Sequence, residues 1–153
     1  MSDNLKKTKG GCYCGAIRYE ATGEEMYVAF CHCEDCRSST GAPAVVYVVY
    51  EENQVHFNKG NRKIFESDPG IHRTFCPECG TPIAYEAEWD GESTVGFFIG
   101  TLDNPNDFKP EKHVFDLDRV SWFDVSDHLP RYHRVPGDGE PSRYGPIEEK
   151  GRA

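Results

Sequence analysis

The chain has 153 residues, with 17 Lys and Arg against 26 Asp and Glu and a net charge of -9. That length suits one ordinary domain with its own core, and the acidic balance is the wrong sign for gripping phosphate backbones, so nucleic acid is not an expected partner. Residues 1–9 are polar and basic with no apolar leader core, and the longest apolar stretch, residues 42–50, is too short to cross a bilayer; the reading is a soluble, cytoplasmic protein with no membrane partner.

In chain order, β-branched and aromatic residues cluster in short runs bounded by Gly, Pro, Asn and Asp, which predicts an all-β domain. Residues 1–9 read as a flexible N-terminus and residues 10–135 as the domain. A strand is predicted over 16–21, where Ala16, Arg18 and Glu20 alternate with Ile17, Tyr19 and Ala21, giving one wet and one dry face. Strands over 26–30 and 44–51 flank a short helix over 34–40, and 45–50, apolar on both faces, is expected to be central. Further strands are predicted over 54–58, 62–67, 72–75, 83–86, 94–99 and 119–123. From Pro130 the sequence turns Pro-, Gly- and charge-rich with little to bury, and residues 136–153 read as a strap or tail.

Seven cysteines are an odd number, so no pairing scheme oxidises them all, and their CxC and CxxC spacings are those of metal clusters in reducing compartments. In Cys12-Tyr13-Cys14 the i, i+2 relation puts both thiols on one face of an extended segment, and Gly10, Gly11 and Gly15 let the backbone bend around an ion. In Cys76-Pro77-Glu78-Cys79-Gly80 the thiols flank a tight turn, with φ preset by Pro77 and with Gly80 releasing the chain and able to point its amide at a thiolate. The two pairs lie more than sixty residues apart, so a shared zinc would staple the start of the domain to its middle.

Cys31-His32-Cys33-Glu34-Asp35-Cys36 combines both spacings, so three thiolates can reach one ion from six consecutive residues, with no fourth ligand nearby. A zinc held by four cysteines is structural, whereas one held by three protein ligands keeps a position for water or substrate. The alternative is a second closed site with a distant fourth ligand; His72 and His113 are the candidates, because His32 sits too close in sequence to fold back onto its neighbours' ion. Placing Cys36 in the first helical turn favours its thiolate. Arg37, next along, is either a solvated charge or a group that neutralises a zinc-thiolate site or binds a substrate carboxylate. Sulfur sets of this kind suit zinc or iron, and zinc is expected here, as two ions per chain.

The stretches 10–18, 31–37 with Thr40-Gly41-Ala42-Pro43, and Phe75-Cys76-Pro77-Glu78-Cys79-Gly80-Thr81-Pro82 resemble the glutathione-dependent formaldehyde-activating enzyme family, which includes centromere protein V. The later Phe108-Lys109-Pro110, His113-Val114-Phe115, Trp122-Phe123 and Asp127-His128-Leu129-Pro130 fit its C-terminal half. The resemblance implies a β-tent fold of coiled antiparallel sheets around a structural zinc, with one short helix after the CxCxxC cluster. It implies that Cys12, Cys14, Cys76 and Cys79 hold the structural zinc, and that Cys31, Cys33 and Cys36 hold a second zinc and are the catalytic set. It also implies a carbon-sulfur lyase whose partners are a small thiol such as glutathione and an aldehyde such as formaldehyde, joined in S-(hydroxymethyl)glutathione. Arg37, Arg73 or Lys112 would supply positive charge for the anionic thiol.

Two other readings compete. In one, both zincs are structural and the chain is a non-catalytic binding or scaffold module. In the other, the chain is a methionine sulfoxide reductase of the B type, which needs a free redox cysteine outside the zinc site.

Overall fold

The computed structural model describes residues 4–136 and is mostly β. Its strands are β1 (Lys7–Gly11), β2 (Arg18–Thr22), β3 (Tyr27–Cys31), β4 (Val45–Glu51), β5 (Val55–Lys59), β6 (Lys63–Asp68), β7 (Ile71–Phe75), β8 (Pro82–Trp89), β9 (Glu92–Phe98) and β10 (Lys112–Val114), with one α-helix, α1 (Glu34–Thr40), between β3 and β4. The described residues cluster into two compact units, one built from residues 4–27 together with Tyr47–Phe108, the other from Val28–Val46 together with residues 109–136.

In the first unit β1, β2 and β5 form an antiparallel sheet in the order β1-β2-β5, and a second antiparallel set runs β4-β9-β8-β7-β6. Strand β2 keeps the predicted alternation: Ile17, Tyr19 and Ala21 are buried while Arg18, Glu20 and Thr22 are partly exposed. Tyr19 stacks flat on Phe97 of β9, with ring centroids 3.7 Å apart at 3°, and its hydroxyl lies 2.6 Å from Thr101 Oγ1. Val48, Val49 and Tyr50 of β4 are buried on both faces, as the unbroken apolar run requires, and the Tyr50 hydroxyl donates to Thr8 at 3.1 Å. Buried hydroxyls of this kind need such partners to offset their desolvation. The β8–β9 hairpin turns through Asp90-Gly91, both at positive φ (51° and 82°), the mirror-image turn that matches strand twist.

Two strands lie where the sequence carried little signal. Residues 7–9, read as part of a flexible N-terminus, are the first three residues of β1; this Lys- and Gly-rich segment has weak strand propensity and is ordered by pairing with β2. In the second unit β10, only three residues long, pairs in parallel with β3, His113 standing opposite Phe30. Conversely, the strand expected over 119–123 does not form. Asp116–Asp118 is a 3-10 turn, the Phe123 amide returns to the Val120 carbonyl at 3.2 Å, and Arg119 is drawn back to Asp116. The β-branched and aromatic run there has local turn partners instead of a neighbouring strand.

Residues 130–134, which precede the expected C-terminal strap, run beside β10. His113 N donates to Pro130 O, Tyr132 N to His113 O and Phe115 N to Arg134 O, at 2.7–2.9 Å. Residues 137–153 of that expected tail lie outside the described residues.

Phe97 is fully buried and stacked on Tyr19. Phe97→Ala is expected to destabilise the protein by about 3–5 kcal/mol, read from the denaturant midpoint of the purified chain.

Candidate metal centres

The first centre is built from two turns. After β1, the Gly15 amide returns to the Cys12 carbonyl and the Cys12 amide to the Ile17 carbonyl, both at 3.1 Å, with Gly15 at φ 81°. After β7, the Gly80 amide closes on the Cys76 carbonyl at 2.9 Å with Gly80 at φ 78°, a conformation that favours glycine. The Tyr13 amide donates to Thr81 Oγ1 at 3.1 Å and links the two turns. The result brings the Sγ atoms of Cys12, Cys14, Cys76 and Cys79 within 4.8 Å of one another. Cys12 to Cys14 is 3.6 Å and Cys14 to Cys76 is 3.9 Å, close to the roughly 3.8 Å between sulfurs that share a tetrahedral zinc.

Backbone amides aim at these sulfurs: Ile17 N at Cys12 (3.2 Å), and Glu78 N and Cys79 N at Cys76 (3.4 and 3.5 Å). Such bonds favour thiolates. Proximity opposes full ionisation. The Thr81 hydroxyl pulls Cys79 down to about 6, while Cys14, although the Ala16 amide favours its thiolate, is pushed up to about 12 by Cys79 and its other neighbours. Four sulfurs that oppose one another's ionisation as a bare set, yet lie within 4.8 Å of one another, fit a shared divalent cation.

The second centre follows β3. Cys31 ends the strand, Cys33 is the N-cap of α1 with its sulfur accepting from Cys36 N at 3.3 Å, and Cys36 is buried in the first turn. The helix spans the predicted residues and stops at Gly41, whose φ of 77° returns its amide to the Arg37 carbonyl. The sulfurs of Cys31, Cys33 and Cys36 also lie within 4.8 Å of one another, and among the described residues no histidine nitrogen or carboxylate oxygen joins them. Thiolates this close repel: the Cys33 and Cys36 sulfurs, with burial, push Cys31 well above the usual thiol range.

Neither histidine considered as a fourth ligand lies with this set. His72, in the first unit, faces Glu66 at 3.0 Å. His113, in the second unit, engages both ring nitrogens elsewhere, Nδ1 on His32 Nε2 at 2.8 Å and Nε2 on Asp127 Oδ2 at 2.9 Å. Burial holds both rings below the ordinary histidine range, His32 down to about 4. The sequence reading missed this His32–His113–Asp127 chain because its members come from three separated segments. Arg37 donates through Nε to the His32 carbonyl at 3.2 Å, and no carboxylate pairs with it among the described residues. Arg73 lies in the first unit, over the Tyr85 ring at 4.8 Å, and Lys112 is a half-buried residue of β10.

The model of the family described as glutathione-dependent formaldehyde-activating enzyme matches residues 7–118. The chain belongs to that family. It is 32% identical over 81 residues to an uncharacterized lyase of Schizosaccharomyces pombe, a match covering 53% of this chain and 58% of that relative. A crystal structure of a Rhodobacter sphaeroides protein superposes with a TM-score of 0.52 at 24% identity, over 65% of this chain and 93% of that one, and shares the fold. Among the described residues, no helix is long and apolar enough to cross a membrane.

The two sets are expected to load independently. Elemental analysis should find two zincs per chain in the wild type and one in Cys33→Ser with its fold retained. Cys76→Ser, which removes a fully buried sulfur of the four-cysteine set, should lower the melting temperature sharply.

Proposed function

We propose that the protein is a zinc-dependent carbon-sulfur lyase acting on the adduct of a small thiol, such as glutathione, with formaldehyde or a related aldehyde. The observation that carries this reading is the set of three converged sulfurs with no fourth side-chain ligand among the described residues. Family membership and the lyase name of the Schizosaccharomyces pombe relative support it at the level of reaction class.

Cys31, Cys33 and Cys36 would hold the zinc ion, which would supply Lewis-acid chemistry that favours the thiolate form of a small thiol near neutral pH. Three cysteinates give such a centre a net charge of about -1 and favour thiolate handling over strong carbonyl polarisation. The chain's own groups then select and hold the thiol. Arg37, next to Cys36 and anchored through Nε to the His32 carbonyl, presents its remaining guanidinium edge to a carboxylate, the fork-to-fork geometry suited to an anionic tripeptide. In the lyase direction the carbon-sulfur bond breaks, its electron pair stays on sulfur, the carbonyl forms, and the adduct's hydroxyl proton is released. Condensation is the reverse.

The test is exchange between free thiol and its hydroxymethyl adduct, followed by NMR and corrected for the uncatalysed rate. Wild type should accelerate exchange, Cys33→Ser should return it to background while staying folded, and Arg37→Ala should raise KM for glutathione more than it changes kcat. Full exchange activity in a folded Cys33→Ser chain would remove the three-cysteine set from catalysis. Two zincs with no acceleration at all would favour the non-catalytic binding module.

A further inference from the structure

His32 lies between Cys31 and Cys33 and is fully buried, so it cannot touch a substrate. Three separate bonds hold it. Its amide donates to Val114 O at 3.2 Å, its carbonyl accepts from Arg37 Nε at 3.2 Å, and its Nε2 meets His113 Nδ1 at 2.8 Å. His113 is also fully buried, stacks on Phe30 with centroids 4.5 Å apart at 5°, and reaches Asp127 Oδ2 through Nε2 at 2.9 Å. The other Asp127 oxygen accepts from the Leu129 amide at 3.0 Å and forms an ion pair with Arg131 Nη1 at 2.9 Å. Arg131 is itself fully buried and tied to the Leu129 and Val125 carbonyls.

Donor and acceptor counting fixes the protons. An ionised Asp127 only accepts, so His113 Nε2 carries the hydrogen. The Asp127 charge is already matched by Arg131, which leaves a buried His113 neutral with a lone pair on Nδ1. His32 Nε2 must then donate, and His32 Nδ1 is left as a bare acceptor; it is buried and has no hydrogen-bond partner among the described residues. The sulfurs of Cys31 and Cys33, two residues apart, are spaced by the backbone torsions of the residue between them. That residue is pinned at its amide, its carbonyl and its ring.

We propose that Asp127, acting through His113, fixes the tautomer and orientation of His32 and thereby presets Cys31 and Cys33 for a metal ion, making His32, His113 and Asp127 positioning residues of the three-sulfur centre. Hydrogen bonds one shell outside a ligand set commonly govern its affinity, and here they act through the peptide joining two ligands. Asp127 and Arg131 lie beyond residues 7–118, the part that matches the family model. The inference rests on the reading of Cys31, Cys33 and Cys36 as a metal centre; it does not depend on the lyase chemistry.

The experiment is a competitive chelator titration of the zinc-loaded full chain, wild type against Asp127→Asn, with cobalt substitution to follow each centre by its thiolate charge-transfer band. An asparagine can turn its NH2 toward His113, which reverses every donor in the chain and strands a hydrogen on His32 Nδ1. The expected result is about a 10–100-fold loss of affinity at the three-sulfur centre, with the four-sulfur centre unchanged. An unchanged three-sulfur affinity, an equal loss at both centres, or a wild-type chain that holds metal only at the four-sulfur centre would each overturn the proposal. If Asp127→Asn does not fold, nitrogen NMR of the wild-type histidines decides: hydrogen on Nε2 of both His32 and His113 is expected, and hydrogen on Nδ1 of His32 refutes it. A chain that passes these tests but does not accelerate adduct exchange keeps this inference and loses the lyase reading.

Discussion

Convergence of thiolate sulfurs is the constraint around which the rest of this protein is arranged, because like charges under 4 Å apart repel unless a cation sits among them. Cys14 and Cys76, 62 residues apart in sequence, lie 3.9 Å apart at their sulfurs. Reaching that distance needs two turns of matched shape. Gly15 and Gly80 supply the left-handed corners, and the Tyr13 amide on Thr81 ties one turn to the other. The neighbouring sulfurs push Cys14 up, as this crowding requires, while the Thr81 hydroxyl and amide draw Cys79 down. Strands β1, β2 and β7 place the turns, and the Tyr19–Phe97 stack belongs to the core on which those strands rest.

The three-sulfur centre answers the same repulsion by a different route. Its sulfurs come from six consecutive residues, so no long loop has to close; what has to be controlled is local backbone shape. The N-cap bond from Cys36 N to Cys33 handles the helical side. On the strand side the control falls to His32, whose ring is held from the segment around Asp127 that runs beside β10. The engagement of both His113 nitrogens in that chain also explains why His113 does not join the three sulfurs.

Much of the site was legible because its signals are local. CxC, CxxC and the turn glycines state which sulfurs can meet within each segment, and the helix over 34–40 follows from a polar first turn closed by Gly41. Strands β2 and β4 were readable because their burial repeats with period two or is unbroken. The amides that reach Cys76 were not: those of Glu78 and Cys79 point at the sulfur, whereas the Gly80 amide, which the turn sequence suggested for a thiolate, closes on the Cys76 carbonyl. Strands β1 and β10 were missed, since Lys7–Gly11 and Lys112–Val114 owe their extended form to a neighbouring strand. The run 119–123 was overread for the converse reason, its apolar residues having turn partners nearby.

The sequence by itself determined the mostly β character, the local convergence of sulfurs within the CxC, CxCxxC and CxxC segments, and the short helix that carries Cys36, because each depends on interactions spanning only a few residues. Only the tertiary structure decided that the CxC and CxxC pairs more than sixty residues apart meet, that His113 turns to Asp127 and His32 instead of to the sulfurs, and that Arg37 is anchored beside them. Those outcomes are contacts between segments far apart along the chain, and a buried donor or acceptor takes whichever partner the packing brings within about 3 Å, which no local spacing encodes.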